Sequence, residues 1–210
     1  MNREKLKWIF FDMGSTLIDE SVAIKHRIRE VIEGTNITYE QFIEKKVFFA
    51  KQNKPADLEA LKYFGLEKTP WHKDDERLYP ETMECLKYLH KHYKIGIIAN
   101  QSLGSEERLK QFGIWKYIDE LVASAEEGVA KPDKRIFEIA LTRAGCKPEE
   151  AAMVGDRLDN DIVPANELGM YTIWLKQGNW IYATPKERLE YPDWTIQSLS
   201  NLKELVKEDV

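Results

Sequence analysis

Short apolar runs that stop abruptly at a polar residue, with helix-length amphipathic segments between them, constrain this chain more than any other feature. Leu6 to Phe11 is short, apolar and aromatic and ends at Asp12-Met13-Gly14-Ser15-Thr16. Ile95 to Ala99 ends at Asn100-Gln101-Ser102, Ala151 to Val154 meets Gly155-Asp156, and Met170 to Leu175 is a further run of the same kind. Apolar runs of this length beside turn residues read as buried strands. Between them, Met83, Leu86, Leu89 and Tyr93 recur near helical spacing, and Ser105 to Phe112 reads as a short helix before a weak strand at Glu120 to Ser124. Ile136, Phe137, Ala140, Leu141 and Ala144 share one face of a helix from Asp133 to Ala144, and Ser200 to Lys207 reads as a last amphipathic helix. Strands alternating with helices predict an α/β fold built on a doubly wound, mostly parallel sheet, whose ligands sit beyond the carboxyl ends of the strands.

One block breaks the alternation. From Ser21 to Arg77 the chain is polar and helix-rich: Thr38 and Gln41 are spaced as a capping box before Phe42, Ile43, Val47 and Phe48. Pro55 marks a break, a helix from Ala56 to Phe64 ends at Gly65, and Glu67 to Pro80 reads as a connector. The expected organisation is a core of residues 1–16 and 79–210 with a small helical cap, 17–78, inserted after the first strand. A chain of 210 residues has room for one core with such an insertion.

Composition narrows the class. Hydrophobic residues at 43% with 11% aromatics exclude a disordered chain, and a formal net charge of −5 argues against a general nucleic-acid binder. The two cysteines, Cys85 and Cys146, form no C-x-x-C pair, so neither a disulfide framework nor a structural zinc site is indicated. The apolar run before Asp12 is far below the roughly 18 residues of a membrane span. No export signal is visible, and the expectation is a cytoplasmic protein without membrane or nucleic-acid partners.

The polar residues at the strand ends are Asp12, Asn100 and Asp156, joined by Asp161 and, from a loop before a helix, Lys131. Singly, Asp12 could be a turn former, Lys131 a solvated charge and Asp156 a helix cap. Jointly, three carboxylates at one sheet edge with one ammonium leave two negative charges uncompensated, which a divalent cation would neutralise. Oxygen-only ligands suit Mg²⁺, which commonly bridges to phosphate oxygens, so phosphoryl chemistry is expected.

These residues resemble the motifs of the haloacid dehalogenase superfamily of hydrolases, in the branch with a helical cap after the first motif. Phe10-Phe11-Asp12-Met13-Gly14-Ser15-Thr16-Leu17 is similar to the first motif, Ile97-Ile98-Ala99-Asn100 to the second, Gly128-Val129-Ala130-Lys131-Pro132-Asp133 to the lysine motif, and Val154-Gly155-Asp156 with Asp161 to the acidic fourth. The resemblance implies a Rossmann-like core and a Mg²⁺-dependent phosphohydrolase acting on a small phosphorylated molecule. Asp12 would be the nucleophile that becomes an aspartyl-phosphate, and Lys131 would neutralise the phosphoryl oxygens. Asp12, the Gly14 carbonyl and Asp156 would ligate the metal, with Asp161 holding a metal-bound water or orienting Lys131. Ser15, Thr16, Asn100, Gln101 and Ser102 would surround the substrate, with main-chain N–H groups after the first two strands as anion donors.

Two positions depart from that pattern. Gly14 stands where phosphatases of the family usually carry a second aspartate for proton transfer, a contribution of about 10²–10⁴-fold. Ala99 stands where a hydroxyl is usual. The departures predict weak turnover of alcohol phosphates and a gain from Gly14→Asp. They also motivate a reading as a catalytically weak phosphate-ligand or partner-binding protein. Metal-independent displacement of halide by Asp12, the family's namesake reaction, is disfavoured by the intact acidic pair and Lys131. In the cap, Lys25, His26, Arg27 and Arg29 are read mostly as solvated helix faces, and Phe42, Phe48, Phe49, Tyr63 and Phe64 as packing. His72, His90 and His92 are given no role, and Trp174 and Trp180 are read as packing residues.

Overall fold

The computed structural model describes residues 5–206. In chain order the elements are β1 (Trp8–Phe11), β2 (Ile18–Asp19), α1 (Ser21–Ile32), α2 (Tyr39–Ala50), α3 (Ala56–Phe64), β3 (Arg77–Leu78), α4 (Thr82–Leu89), β4 (Lys94–Ala99), α5 (Ser105–Gln111) and β5 (Glu120–Ala123). They continue with α6 (Ser124–Glu127), α7 (Lys134–Ala144), β6 (Ala151–Gly155), α8 (Val163–Leu168), β7 (Tyr171–Leu175), β8 (Trp194–Ile196) and α9 (Leu199–Val206). Six strands form a parallel sheet in the order β5-β4-β1-β6-β7-β8.

The strands are buried on both faces because helices cover both, which is why they read as continuous apolar runs rather than alternating ones. Ile9, Phe11, Ile95, Ile97, Ala152 and Val154 pack with Leu86 and Leu89 of α4, Leu109 of α5 and Leu199, Leu202 and Val206 of α9. Phe10, Ile98, Ala151 and Met153, one residue out of phase, pack on the other face with Ile136, Phe137, Ala140 and Leu141 of α7 and Ala165 of α8. The period of two along each strand thus divides the core between two helical layers.

The chain leaves β1 through a tight turn, in which the N–H groups of Leu17 and Ile18 both donate to Met13 O, and enters the helical insertion. β2 and β3 pair antiparallel at its base. The insertion has its own small core of Ile28, Val31, Phe42, Ala60 and Leu61. Thr38 caps α2 as its spacing predicts: its Oγ1 accepts from Gln41 N (3.2 Å) while Gln41 Oε1 accepts from Thr38 N (2.8 Å). α3 ends at Gly65 with φ 66°, a left-handed conformation that glycine adopts without steric cost. The cap aromatics divide. Phe42 is buried and stacks on Phe64, whereas Phe48 and Tyr63 are more than half exposed, so these two do not serve as cap core.

The sequence pattern does not announce β8 or the two-residue strands β2 and β3. Trp194-Thr195-Ile196 is too short and polar to register as an apolar run, and it becomes a strand by pairing with Ile173, Trp174 and Leu175. The last expected helix is present up to Val206; Lys207 lies outside the described residues. No helix among the described residues is long and apolar enough to cross a membrane.

Candidate active site

Register brings the site together. β1 lies between β4 and β6, with Phe11 opposite both Ile97 and Val154, so the segments beginning at Asp12, Asn100 and Asp156 emerge along one rim. Strand order reverses on either side of β1, which makes this rim the topological switch point where open α/β sheets bind ligands.

Lys131 closes the cluster. Its Nζ donates to Asp12 Oδ1 (2.5 Å) and Asp161 Oδ1 (2.6 Å), and its side chain is 2% exposed. Asn100 fixes the lysine rather than standing free for substrate: its Oδ1 accepts from Lys131 N (2.7 Å) and its Nδ2 donates to Lys131 O (2.8 Å). Asp161 sits in a wide turn over Leu158–Ile162, its Oδ2 accepting from Arg157 N (3.0 Å). A side chain at Gly155 would overlap the Asp161 carboxylate, so glycine is required there for close approach. Asp156 is held from behind by Trp174, whose Nε1 donates to Asp156 O (2.8 Å), so Trp174 positions the rim as well as packing.

One carboxylate oxygen from each of Asp12, Asp156 and Asp161 lies within 4.8 Å of the others. Burial, with the charges of Asp12 and Asp161, pushes the Asp156 carboxyl well above the usual range, and burial raises Asp161 to about 6 although Lys131 opposes it. Burial would lower Lys131, but the charges of Asp12 and Asp161 outweigh it and hold the ammonium above its ordinary value. A hard, all-oxygen donor set with two uncompensated negative charges fits a divalent cation.

The decisive residue that the sequence pattern does not reveal is Glu20. A Cβ added to Gly14 would meet Glu20 Oε1 at 2.5 Å and Oε2 at 2.7 Å, so the Glu20 carboxylate fills the space in which a side chain on residue 14 would begin. Ser15, at φ 55°, turns the chain and donates from Oγ to Glu20 Oε2 (3.2 Å). Burial, then the charges of Asp12 and Glu76, raise Glu20 to about 7.

Of the residues expected to surround the substrate, Ser15, Asn100, Gln101 and Ser102 line the cavity beside the rim. Thr16 is fully buried and does not line the cavity, because the turn carries it beneath the rim while Gln177 Nε2 donates to the carbonyls of Ser15 and Thr16. Two of the main-chain donors expected for an anion are engaged: Ser15 N–H by Ile18 O (2.8 Å) and Gln101 N–H by Ser124 Oγ (3.0 Å). Gln101 Oε1 accepts from Arg108 Nη1 (2.7 Å). Ser102 lines the cavity.

That cavity measures about 440 Å³ and lies between rim and insertion. Asp12, Gly14, Glu20, Lys131, Asp156 and Asp161 form its floor; Ile24, Ile28, Val31, Phe42 and Leu61 give an apolar wall. Arg27 and Trp180, expected as a solvated charge and a packing residue, also line it. Arg108 is buried and forms a two-pronged ion pair with Glu76 (Nε–Oε2 and Nη2–Oε1, both 2.9 Å), and Trp71 Nε1 donates to the same Oε1 (2.5 Å).

An open parallel sheet whose switch point gathers a carboxylate, an acidic pair and a buried lysine under a helical insertion defines an α/β enzyme acting on an anionic group. The chain belongs to the haloacid dehalogenase-like hydrolases, whose family model matches residues 6–169. A glyceraldehyde 3-phosphate phosphatase of Methanocaldococcus jannaschii is 32% identical over 96% of this chain and 97% of its own length. A pyrophosphatase, PpaX, of Listeria monocytogenes is 26% identical over 98% of each chain. The fold matches the crystal structure of the putative hydrolase YfnB from Bacillus subtilis bound to magnesium, with a TM-score of 0.70 at 18% identity over 97% of this chain and 99% of that one.

Proposed function

We propose that the protein is a Mg²⁺-dependent phosphohydrolase that cleaves a small phosphorylated metabolite through an aspartyl-phosphate on Asp12. The observation that carries this reading is the Lys131 ammonium held between Asp12 and Asp161 beside a third buried carboxylate, Asp156. The named relatives act on phosphorylated small molecules, which supports it.

Asp12, Asp156 and the Gly14 carbonyl would hold the cation, which when bound supplies positive charge to neutralise the phosphoryl oxygens. The chain's own residues do the rest. Lys131, immobilised by Asn100, orients Asp12 and holds the phosphoryl group in line. An Asp12 oxygen bonds to phosphorus as the bond to the leaving oxygen breaks. Glu20 is the group placed to give the leaving oxygen its proton and then to take one from the water that releases Asp12 and inorganic phosphate. A carboxylate beside Gly14 favours the enzyme reading over that of a merely binding protein.

The reading is tested by assaying p-nitrophenyl phosphate and a panel of phosphate monoesters with and without Mg²⁺, with Asp12→Asn as control. Turnover that requires Mg²⁺ and Asp12 is expected. Halide release from a halo-acid in the absence of metal, with no phosphatase activity, would overturn it.

A further inference from the structure

Arg27 is the one arginine of the cavity without a carboxylate partner. Arg108 is paired with Glu76 and Arg157 with Asp159, and Lys131 lies between Asp12 and Asp161. No carboxylate oxygen stands within 4.0 Å of the Arg27 guanidinium among the described residues, and its Nε is buried without a hydrogen-bond partner. The Trp71 ring lies against it, its centroid 4.3 Å from the guanidinium carbon, while Asp57, Glu20 and Glu30 act on it from beyond ion-pair distance.

That contact also sets the orientation of the guanidinium. Trp71 is held through Nε1 by Glu76, Glu76 is locked by Arg108, and Arg108 is tied to Gln101 beyond β4. A guanidinium stacked on a ring can still bond acceptors lying in its own plane, the geometry that suits carboxylate and phosphate. Around it, Ile24, Ile28, Val31 and Phe42 form the apolar side of the same cavity. Burial lowers Arg27 from its ordinary value although the charges of Asp57, Glu20 and Glu30 oppose it. Lys68 adds a second positive charge at the exposed lip. An arginine without an ion pair, lining the same cavity as Asp12, suits a second anion.

We propose that the cavity selects substrates whose leaving group carries a further anionic group, a carboxylate or a second phosphate, bound by Arg27 while Lys131 and the Asp12 rim hold the phosphoryl group that is transferred. This rests on the phosphohydrolase reading and adds the substrate class to it.

The test compares substrates that differ in one charge, using the full chain with Mg²⁺: 3-phosphoglycerate against glycerol 3-phosphate, and 1,3-propanediol bisphosphate against propyl phosphate. In at least one pair the anionic member is expected to have the higher kcat/KM by about 10- to 100-fold, mainly through KM, the range for a charge-assisted hydrogen bond. The pair that shows it identifies the anion as carboxylate or phosphate. Arg27→Gln should bring that ratio towards one, and Arg27→Lys should keep part of it. Equal kcat/KM within both pairs in the wild type, or an unchanged ratio in Arg27→Gln, overturns the inference while p-nitrophenyl phosphate turnover leaves the phosphohydrolase reading intact. Absence of all Mg²⁺-dependent turnover, p-nitrophenyl phosphate included, overturns both.

Discussion

The carboxylate of Glu20 occupies the space that a side chain on residue 14 would enter, with Oε1 only 2.5 Å from the position of a Gly14 Cβ. A glycine two residues after Asp12 is therefore the complement of a glutamate arriving from the start of the insertion. The two positions exchange volume, and on the reading above they also exchange chemistry.

Glu20→Gln removes the transferable proton and keeps the shape. We expect kcat on alkyl phosphates to fall by about 10²–10⁴-fold, with a smaller loss on p-nitrophenyl phosphate, whose leaving group departs without protonation. Plotting rate against leaving-group acidity across a series of esters checks this: the slope should steepen in the variant. An unaltered slope would show that another group moves the proton.

The sequence pattern predicts that Gly14→Asp raises activity on simple alcohol phosphates; with the Glu20 carboxylate beside residue 14 we expect a loss instead. The new side chain would push aside the end of Glu20 and set a further carboxylate among groups that already repel. The single variant should lose activity and melt at a lower temperature, whereas Gly14→Asp combined with Glu20→Gly should regain activity. Steady-state kinetics and thermal melts of the three variants measure both effects.

Metal binding should stabilise the fold by relieving the repulsion among Asp12, Asp156 and Asp161. At a hundredfold excess over Kd the gain is about 2.7 kcal/mol, or a rise in Tm of roughly 5–10 °C for a chain of this size. Asp156→Asn should raise Tm in EDTA, because it removes a buried charge, and abolish the increment on adding Mg²⁺. Differential scanning calorimetry with and without the ion distinguishes the two effects.

Stability of the metal-free protein should fall as pH rises. Burial raises Glu20 from 4.5 to about 7 and Asp161 from 3.8 to about 6. A carboxyl raised on folding binds its proton more tightly folded than unfolded. Its contribution is complete below about pH 4 and is lost as pH passes upward through about 6 to 7. Melts in EDTA between pH 5 and pH 8 should show this decline, and Glu20→Gln should flatten its upper part.

Asn100 offers a check on positioning. Its amide is spent on the main chain of Lys131, so Asn100→Ala should lower kcat/KM by roughly 10-fold, while substrate selectivity between members of a charge-matched pair stays as it was. A change in selectivity instead would mean that the Asn100 side chain meets the leaving group.

Asp12, Lys131, Asp156 and Asp161 are legible from the linear chain because each follows an apolar run or opens a helix, and the handedness of parallel α/β units carries strand ends to one rim. The same reasoning misses β8, which is a strand only because β7 offers it an edge. It also does not foresee that Thr16 lies buried beneath the rim or that Asn100 bonds the main chain of Lys131, since both depend on which way a turn delivers them. Glu20 and Arg27 carry no periodic signal at all: one lies at the mouth of the insertion and the other on a helix of mixed polarity.

The order of apolar runs and their polar stops, by itself, determined a parallel sheet with a carboxylate and lysine cluster at its edge, since hydrophobic burial and chain connectivity are local enough to be written in the pattern. Only the tertiary structure decided which carboxylate fills the space beside Gly14, which arginine remains unpaired and which asparagine holds the lysine. Those outcomes depend on how a turn and the packing of the insertion deliver each side chain to the rim, and no periodicity along the backbone encodes them.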